Sequence, residues 1–115
     1  MINLWPIVMR ILFDQATPVG IRKFLIGHEV KTAYQQGWDK FANGELIKAT
    51  EEAGFDILLT TDQNLAYQQN LTGRKIAILV LSDGQWPSIK AHVNAVITAV
   101  NAAMPGSYAI IEIPE

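Results

Sequence analysis

Ile57-Leu58-Leu59-Thr60-Thr61-Asp62 is the stretch that decides the fold, because it is a short, nearly unbroken apolar run that ends in an acid. Such a run is typical of a strand buried on both faces of a parallel sheet. Ile11-Leu12-Phe13-Asp14 follows the same pattern near the start of the chain. Carboxyl ends of parallel strands share one edge of an open α/β sheet, and ligands bind in the crevice outside it. We therefore expect Asp14 and Asp62 to lie close together.

Strand-forming runs recur along the chain and alternate with segments long enough to be helices. The predicted strands cover residues 10–13, 28–34, 56–61, 75–81 and 107–113. The order β-α-β-α-β-(α)-β-α-β, with crossovers of helical length, favours parallel strands. We expect a three-layer α/β/α sandwich with a mainly parallel central sheet of about five strands.

Capping signals define the helices between these strands. Thr17 as N-cap and Pro18 as the first helical residue predict a short helix to about residue 26. Asn43 is a plausible N-cap for a helix that ends at Gly54. The longest helix is expected to run without a break from Pro87 to about residue 104, with a mostly apolar face. The polar residues 62–71 could form a further short helix.

Bulk properties describe one globular domain spanning residues 1–115. Half of the residues are hydrophobic and 17% are charged, which is ordinary for a folded protein. The chain has no cysteine, which excludes disulfides, thiolate zinc sites and thiol catalysis. Its net charge of −2 gives no excess of positive charge for nucleic acid. No run approaches the roughly 20 apolar residues of a membrane span, so we expect a cytoplasmic protein without membrane association.

The first residues raise a separate hypothesis. The sequence from Met9, Met-Arg-Ile-Leu-Phe-Asp, has the character of a natural start that leads straight into a strand. Residues 1–8 would then be an N-terminal extension, whose apolar part either covers a surface or joins a dimer. N-terminal sequencing of the native protein tests this, and a mature protein beginning at Met1 would refute it.

Three acids are candidates for one site, although each has an ordinary structural explanation. Asp14 could be a turn residue, Asp62 could cap a helix that begins at Gln63, and Glu45 lies in a first helical turn, where it complements the macrodipole. Three converging carboxylates would repel one another without a cation. Mg²⁺ or Mn²⁺ would neutralise the three carboxylates. The expected chemistry is metal-assisted attack of water on a phosphodiester.

The remaining sequence features exclude several kinds of site and add one candidate ligand. The glycines form neither a Walker A loop nor a dinucleotide fingerprint, and the two histidines are too few for a histidine-rich zinc site. Asp83 follows the fourth strand at the same predicted edge and is a candidate outer ligand.

Several ordered motifs resemble those of small bacterial PIN-like proteins. Residues 11–18, Ile-Leu-Phe-Asp-Gln-Ala-Thr-Pro, resemble their "ILxDxNLP" start. Gly37-Trp38 and Asn43-Gly44-Glu45-Leu46 resemble "GW…NGEL", and residues 55–65 resemble "FDxLxTxDxNL", followed by "YQQNL" at residues 67–71. The resemblance covers about residues 9 to 81.

This resemblance implies a fold, a chemistry and partners. PIN domains carry acids at the carboxyl edge of a parallel sheet, and the family includes metal-dependent single-strand ribonucleases, many of them toxins of toxin–antitoxin pairs. By position, Asp14 matches the first acidic ligand, Glu45 the middle acid and Asp62 the acid after the third strand. Gln15 and Asn64 stand where many relatives have further carboxylates, and would orient water or substrate instead.

Two functions follow as expectations. The first is a Mg²⁺- or Mn²⁺-dependent endoribonuclease that acts on single-stranded RNA, with an antitoxin protein and a homodimer as possible partners. The second is a catalytically silent PIN-like binding module, favoured by the amides at Gln15 and Asn64 and by the acidic pI near 5.6. A receiver-like signalling domain ranks third, because the chain lacks paired acids on the first strand.

Overall fold

The computed structural model describes residues 8–65 and 73–114 of the chain. Within these ranges the strands are β1 (Arg10–Phe13), β2 (Glu29–Thr32), β3 (Ile57–Thr60), β4 (Ala77–Leu81) and β5 (Tyr108–Ile111). A 3₁₀ helix (Val19–Phe24) and three α-helices, α1 (Asn43–Glu52), α2 (Trp86–Ala91) and α3 (Val93–Ala102), lie in the connections. No helix in the described ranges combines the length and the apolar character needed to cross a membrane.

All five strands of the described residues form one parallel sheet in the order β2-β1-β3-β4-β5. β1 lies between β2 and β3, so that Phe13 is in register with Thr32 on one side and with Leu59 on the other. The parallel five-stranded α/β architecture predicted from the sequence is confirmed.

Two hydrophobic clusters cover the two faces of the sheet. Successive side chains of a strand point to opposite faces, so each fully apolar strand contributes to both clusters. Leu12, Leu58 and Ile78 pack with Leu46 and Ile47 of α1 on one face. The opposite face packs against the 3₁₀ helix, α2 and α3 through a larger set: Ile11, Phe13, Ile57, Leu59, Leu79, Ile21, Ile89, Val96 and Val100. Helices on both faces complete the layered sandwich.

Two predicted N-caps are wrong. The residue before α1 is Ala42, with extended backbone angles, whereas Asn43 already belongs to the helix. The Asn43 side chain donates to the Asp62 carboxylate on another element, which removes it from capping. Pro18 rather than Thr17 precedes the 3₁₀ helix, because the Thr17 hydroxyl is buried and bonded to Asp14 and to the Leu59 carbonyl.

The predicted single long helix is also wrong, because α2 and α3 are separate helices divided at His92. This residue has φ −125° and ψ 31°, outside the helical region, although its N–H still donates to the Ile89 carbonyl. Ile89, Val96 and Val100 on the two segments nevertheless pack into the same cluster, as the apolar face predicted.

Two predictions fall partly outside the described residues. The possible short helix at residues 62–71 falls mostly on residues 66–71, and the proposed N-terminal extension falls mostly on residues 1–7, so both stay predictions.

Candidate functional site

A cavity of about 190 Å³ opens at the carboxyl edge of the sheet, beside the ends of the neighbouring strands β1 and β3. Asp14, which follows β1, and Asp62, which lies two residues after β3, both line it. The remaining lining residues come from the loop after β1, the loop after β2, α1 and the end of β3: Gln15, Ala16, Ala33, Trp38, Asp39, Phe41, Asn43, Leu46 and Thr61. The two acids at the strand ends therefore share one cavity, as the sequence predicts.

Asp14 is held in place by two threonines. Its Oδ1 accepts hydrogen bonds from the Thr17 backbone N–H at 3.0 Å and from the Thr17 hydroxyl at 2.5 Å. Its Oδ2 accepts a hydrogen bond from the Thr60 hydroxyl. Its own N–H donates to the Leu59 carbonyl at 3.2 Å, which continues the β1–β3 pairing by one residue. The half-buried carboxylate is thus oriented by Thr17 of the following loop and by Thr60 of β3.

Asp62 is fixed by a different set of donors. Its Oδ2 accepts a hydrogen bond from Asn43 Nδ2 at the start of α1, and its Oδ1 accepts one from the Asn64 backbone N–H at 3.0 Å. Its own N–H donates to the Thr60 hydroxyl oxygen at 3.1 Å. Thr60 therefore links the two acids, because its hydroxyl donates to Asp14 and accepts from Asp62.

Glu45, the third acid of the prediction, does not line this cavity. It is exposed, and its Oε1 accepts a hydrogen bond from the Ala42 backbone N–H at 3.1 Å, three residues earlier. This is the glutamate half of a capping box; Ala42, which lacks a side-chain oxygen, cannot supply the other half. The role observed for Glu45 is to cap its own helix, and its role in catalysis stays a prediction.

The three auxiliary candidates, Gln15, Asn64 and Asp83, lie in three different places. Gln15 lines the cavity with Asp14. The exposed Asn64 contacts Asp62 through its backbone N–H. Asp83 lines a different cavity of about 520 Å³ with Glu112, and its Oδ1 accepts a hydrogen bond from the Gln85 N–H at 2.7 Å.

Sequence reasoning missed Asp39 and Phe41, which with Trp38 forms the aromatic wall of the cavity. Asp39 is a half-buried acid in the loop that follows β2, on the same side of the sheet. Trp38 stacks on Phe41 with ring centroids 6.3 Å apart and meets Phe55 edge to face at 6.1 Å. Asp39 lies seven residues past the end of β2, so the strand-end rule that singled out Asp14 and Asp62 does not reach it.

The donor set suits a hydrated cation better than a fully coordinated one. No group of three or more acidic or histidine side chains within residues 8–65 and 73–114 is arranged to hold a metal ion. Mg²⁺ dehydrates reluctantly and commonly binds through one or two carboxylates, with waters and substrate phosphates completing its shell. Asp14 and Asp62 supply the oxygen chemistry that such an ion requires.

No family model, curated protein or solved structure matches the chain. The resemblance to PIN-like proteins therefore stays a hypothesis that rests on the quoted motifs.

Proposed function

We propose that the chain is a Mg²⁺- or Mn²⁺-dependent endoribonuclease of the PIN type that cleaves single-stranded RNA. The observation that carries the proposal is that the carboxylates following β1 and β3 line one cavity at the carboxyl edge of the sheet. The motif resemblance supports RNA as the substrate. It also supports a role as the toxin of a toxin–antitoxin pair, with an antitoxin protein as partner and the cytoplasm as location.

Each group in the cavity has a defined task in this proposal. Asp14 and Asp62 would hold the cation, which when bound would activate water and stabilise the charge that develops on the phosphate. Thr17 and Thr60 keep the Asp14 carboxylate oriented before substrate binds. Gln15, on the cavity wall, would orient water or a phosphate oxygen by hydrogen bonding.

The aromatic wall provides a surface for a base. Phe41 is 40% exposed and is supported from behind by the stacked Trp38. Exposed aromatic rings bind single-stranded nucleic acid by stacking, which tolerates different base sequences. Single-strand selectivity follows, because a base inside a duplex cannot reach such a ring.

The direct test is cleavage of labelled single-stranded RNA by the purified full-length chain with Mn²⁺. We expect cleavage that EDTA abolishes and that Asp62→Asn reduces to the EDTA level. Glu52→Gln is the matched control; it changes an exposed acid at the far end of α1 that does not line the cavity, and we expect it to retain cleavage. A wild-type chain that leaves RNA intact, or an Asp62→Asn variant as active as the wild type, would refute the proposal.

A catalytically silent binding module is the second candidate. The observation that favours it is that both carboxylates already accept hydrogen bonds from Thr17, Thr60 and Asn43. A ligand that binds the folded state raises its stability by RT ln(1 + [L]/Kd). An increase of Tm with Mn²⁺ that Asp62→Asn removes and Glu52→Gln keeps supports the metal site. Equal Tm values with and without Mn²⁺ support the binding module.

A further inference from the structure

A groove of about 540 Å³ lies between the 3₁₀ helix and the edge strand β2, and we call it the β2 groove. It is lined by residues 19–20, 22–23 and 25–31, which belong to the helix, the strand and the connection between them. The cavity that holds Asp14 and Asp62 is lined by other residues. The β2 groove is therefore a separate surface, to which the proposed function assigns no task.

Three cations line the β2 groove: Arg22, Lys23 and Lys31. Arg22 and Lys23 are exposed, Lys31 is half-buried, and none of the three forms an ion pair within the part of the chain that the structure describes. The acid among the described lining residues is Glu29, which pairs with Arg10 at 3.2 Å and is thereby neutralised. The groove is positively charged, although the whole chain carries a net charge of −2.

The edge of β2 offers few main-chain groups for an added peptide strand, which would bind through such groups. The Glu29 N–H donates to the carbonyl of the residue before β1, so Val30 and Thr32 face outward, because parallel strands face a neighbour at alternate residues. The Thr32 N–H donates to Gln35 Oε1 at 3.0 Å, and its carbonyl accepts from the Gln36 N–H at 3.2 Å. Of these two residues, Val30 alone keeps its outward groups unbonded within the described ranges. The groove is thus better suited to an anion than to a strand.

The β2 groove adjoins the cavity of the candidate site on two sides. On the helix side, Val19 of the groove lies two residues after Thr17, whose hydroxyl donates to Asp14. On the strand side, Lys31 of the groove lies two residues before Ala33, which lines the cavity. Two residues of a strand span roughly 7 Å. An extended polyanion that occupies the cavity can therefore continue into the groove.

We propose that the β2 groove binds the phosphate backbone of single-stranded RNA beside the phosphate that is held at the cavity. The inference rests on the proposed function and extends it to substrate-binding residues outside the cavity. Arg22, Lys23 and Lys31 neutralise phosphates of the RNA that leaves the cavity, and they do not contact the reacting atoms. Phosphate contacts fix the position of a nucleic acid and carry no sequence information. Their contribution is the same for any RNA sequence and falls with salt.

Fluorescence anisotropy of a labelled single-stranded RNA, titrated with the full-length chain in EDTA at several salt concentrations, tests the proposal. On single strands, the logarithm of the binding constant falls with the logarithm of the salt concentration, with a slope of about −0.7 for each phosphate neutralised. Three contacts should give the wild-type chain a slope of about −2. Lys23→Gln should reduce the magnitude of this slope by about 0.7, and Arg22→Gln with Lys23→Gln by about 1.4.

Lys48→Gln is the matched control, because it removes the same charge from a different surface. Lys48 is exposed on α1, which packs on the face of the sheet opposite the 3₁₀ helix. Its ion pair with Glu52, at 3.9 Å, is exposed, so its loss should cost little stability. We expect Lys48→Gln to keep the wild-type slope. Arg22 and Lys23 are exposed as well, and unchanged circular dichroism spectra should show that their variants fold.

Two results would overturn the proposal. One is a slope that the Arg22 and Lys23 variants leave unchanged, or that Lys48→Gln reduces equally. The other is displacement of the RNA by a polyglutamate peptide at equal concentration of charges, which would assign the groove to acidic peptides. Failure of the nuclease proposal is a separate outcome, because anisotropy in EDTA requires neither metal nor cleavage. A chain that binds RNA through the groove and never cleaves it would refute the nuclease alone, whereas cleavage with groove-independent binding would refute this inference alone.

Discussion

At the scale of single residues, Thr60 organises the candidate site. It is 3% exposed, and its hydroxyl lies between the Asp14 carboxylate and the Asp62 backbone N–H. Threonine is common in strands, so nothing in the sequence marks this one as different from Thr61. The distinction arises from tertiary structure, because β1 brings Asp14 beside the end of β3.

Thr60→Val should destabilise the protein, because it removes the hydroxyl and leaves a carboxylate oxygen and a backbone N–H with one partner fewer. We expect a loss of about 1–3 kcal/mol in the free energy of unfolding, measured by urea denaturation. Thr61→Val is the matched control; within the described residues the Thr61 hydroxyl makes no hydrogen bond, and its substitution should cost under about 0.5 kcal/mol. Equal losses for the two variants would contradict the role of Thr60.

The three predicted acids show how far residue-level prediction reaches. Asp14 and Asp62 were expected at one edge because each directly follows a buried strand, and the structure places both on one cavity. Glu45 was a candidate from its position in the first helical turn, and the resemblance assigned it the middle acid, yet its side chain reaches back three residues to the Ala42 N–H. The position of a residue in a sequence pattern does not determine whether its exposed carboxylate turns toward the cavity or back to the backbone of its own helix.

At the scale of elements, α1 begins with an incomplete cap. Ala42 has the extended backbone angles of an N-cap, φ −70° and ψ 165°, but makes no side-chain hydrogen bond to the helix. Glu45 is already in place at the N3 position. A side-chain oxygen at residue 42 would complete the reciprocal capping box.

Ala42→Ser should therefore stabilise the protein by about 1 kcal/mol, since serine is among the preferred N-cap residues and alanine is not. The gain corresponds to an increase in Tm of about 4 °C for a domain of this size, measured by thermal circular dichroism. The matched control combines Ala42→Ser with Glu45→Ala, in which part of the gain should disappear. A Tm unchanged by Ala42→Ser would show that the residue is not the functional N-cap.

Element boundaries were harder to predict than element types. The predicted β4 begins at Lys75, whereas pairing with β3 begins at Ala77. The apolar run is longer than the segment that pairs with β3, and composition does not show where that pairing begins. The break at His92 was missed for a related reason, because Ile89, Val96 and Val100 face one cluster whether or not the helix between them is continuous.

At the scale of the whole molecule, the fold class was predictable and the order of the strands was not. Buried apolar runs separated by helical crossovers favour a parallel layered architecture. The order β2-β1-β3-β4-β5 depends on pairings between distant residues, such as Ile11 with Ile57, which local patterns do not encode. The shared cavity of Asp14 and Asp62 depends on this order, because it makes β1 and β3 neighbours.

The position of β1 between β2 and β3 also constrains how the chain folds during translation. β2 can pair with β1 early, but β3 cannot pair with the other side of β1 until residues 57–60 have left the ribosome. With no hairpin among the described strands, each pairing closes a long loop, which makes such topologies slow to fold. A fragment of residues 1–54 should accordingly stay unfolded by circular dichroism, whereas the full-length chain folds. Cooperative melting of that fragment would show that an incomplete sheet is already stable on the nascent chain.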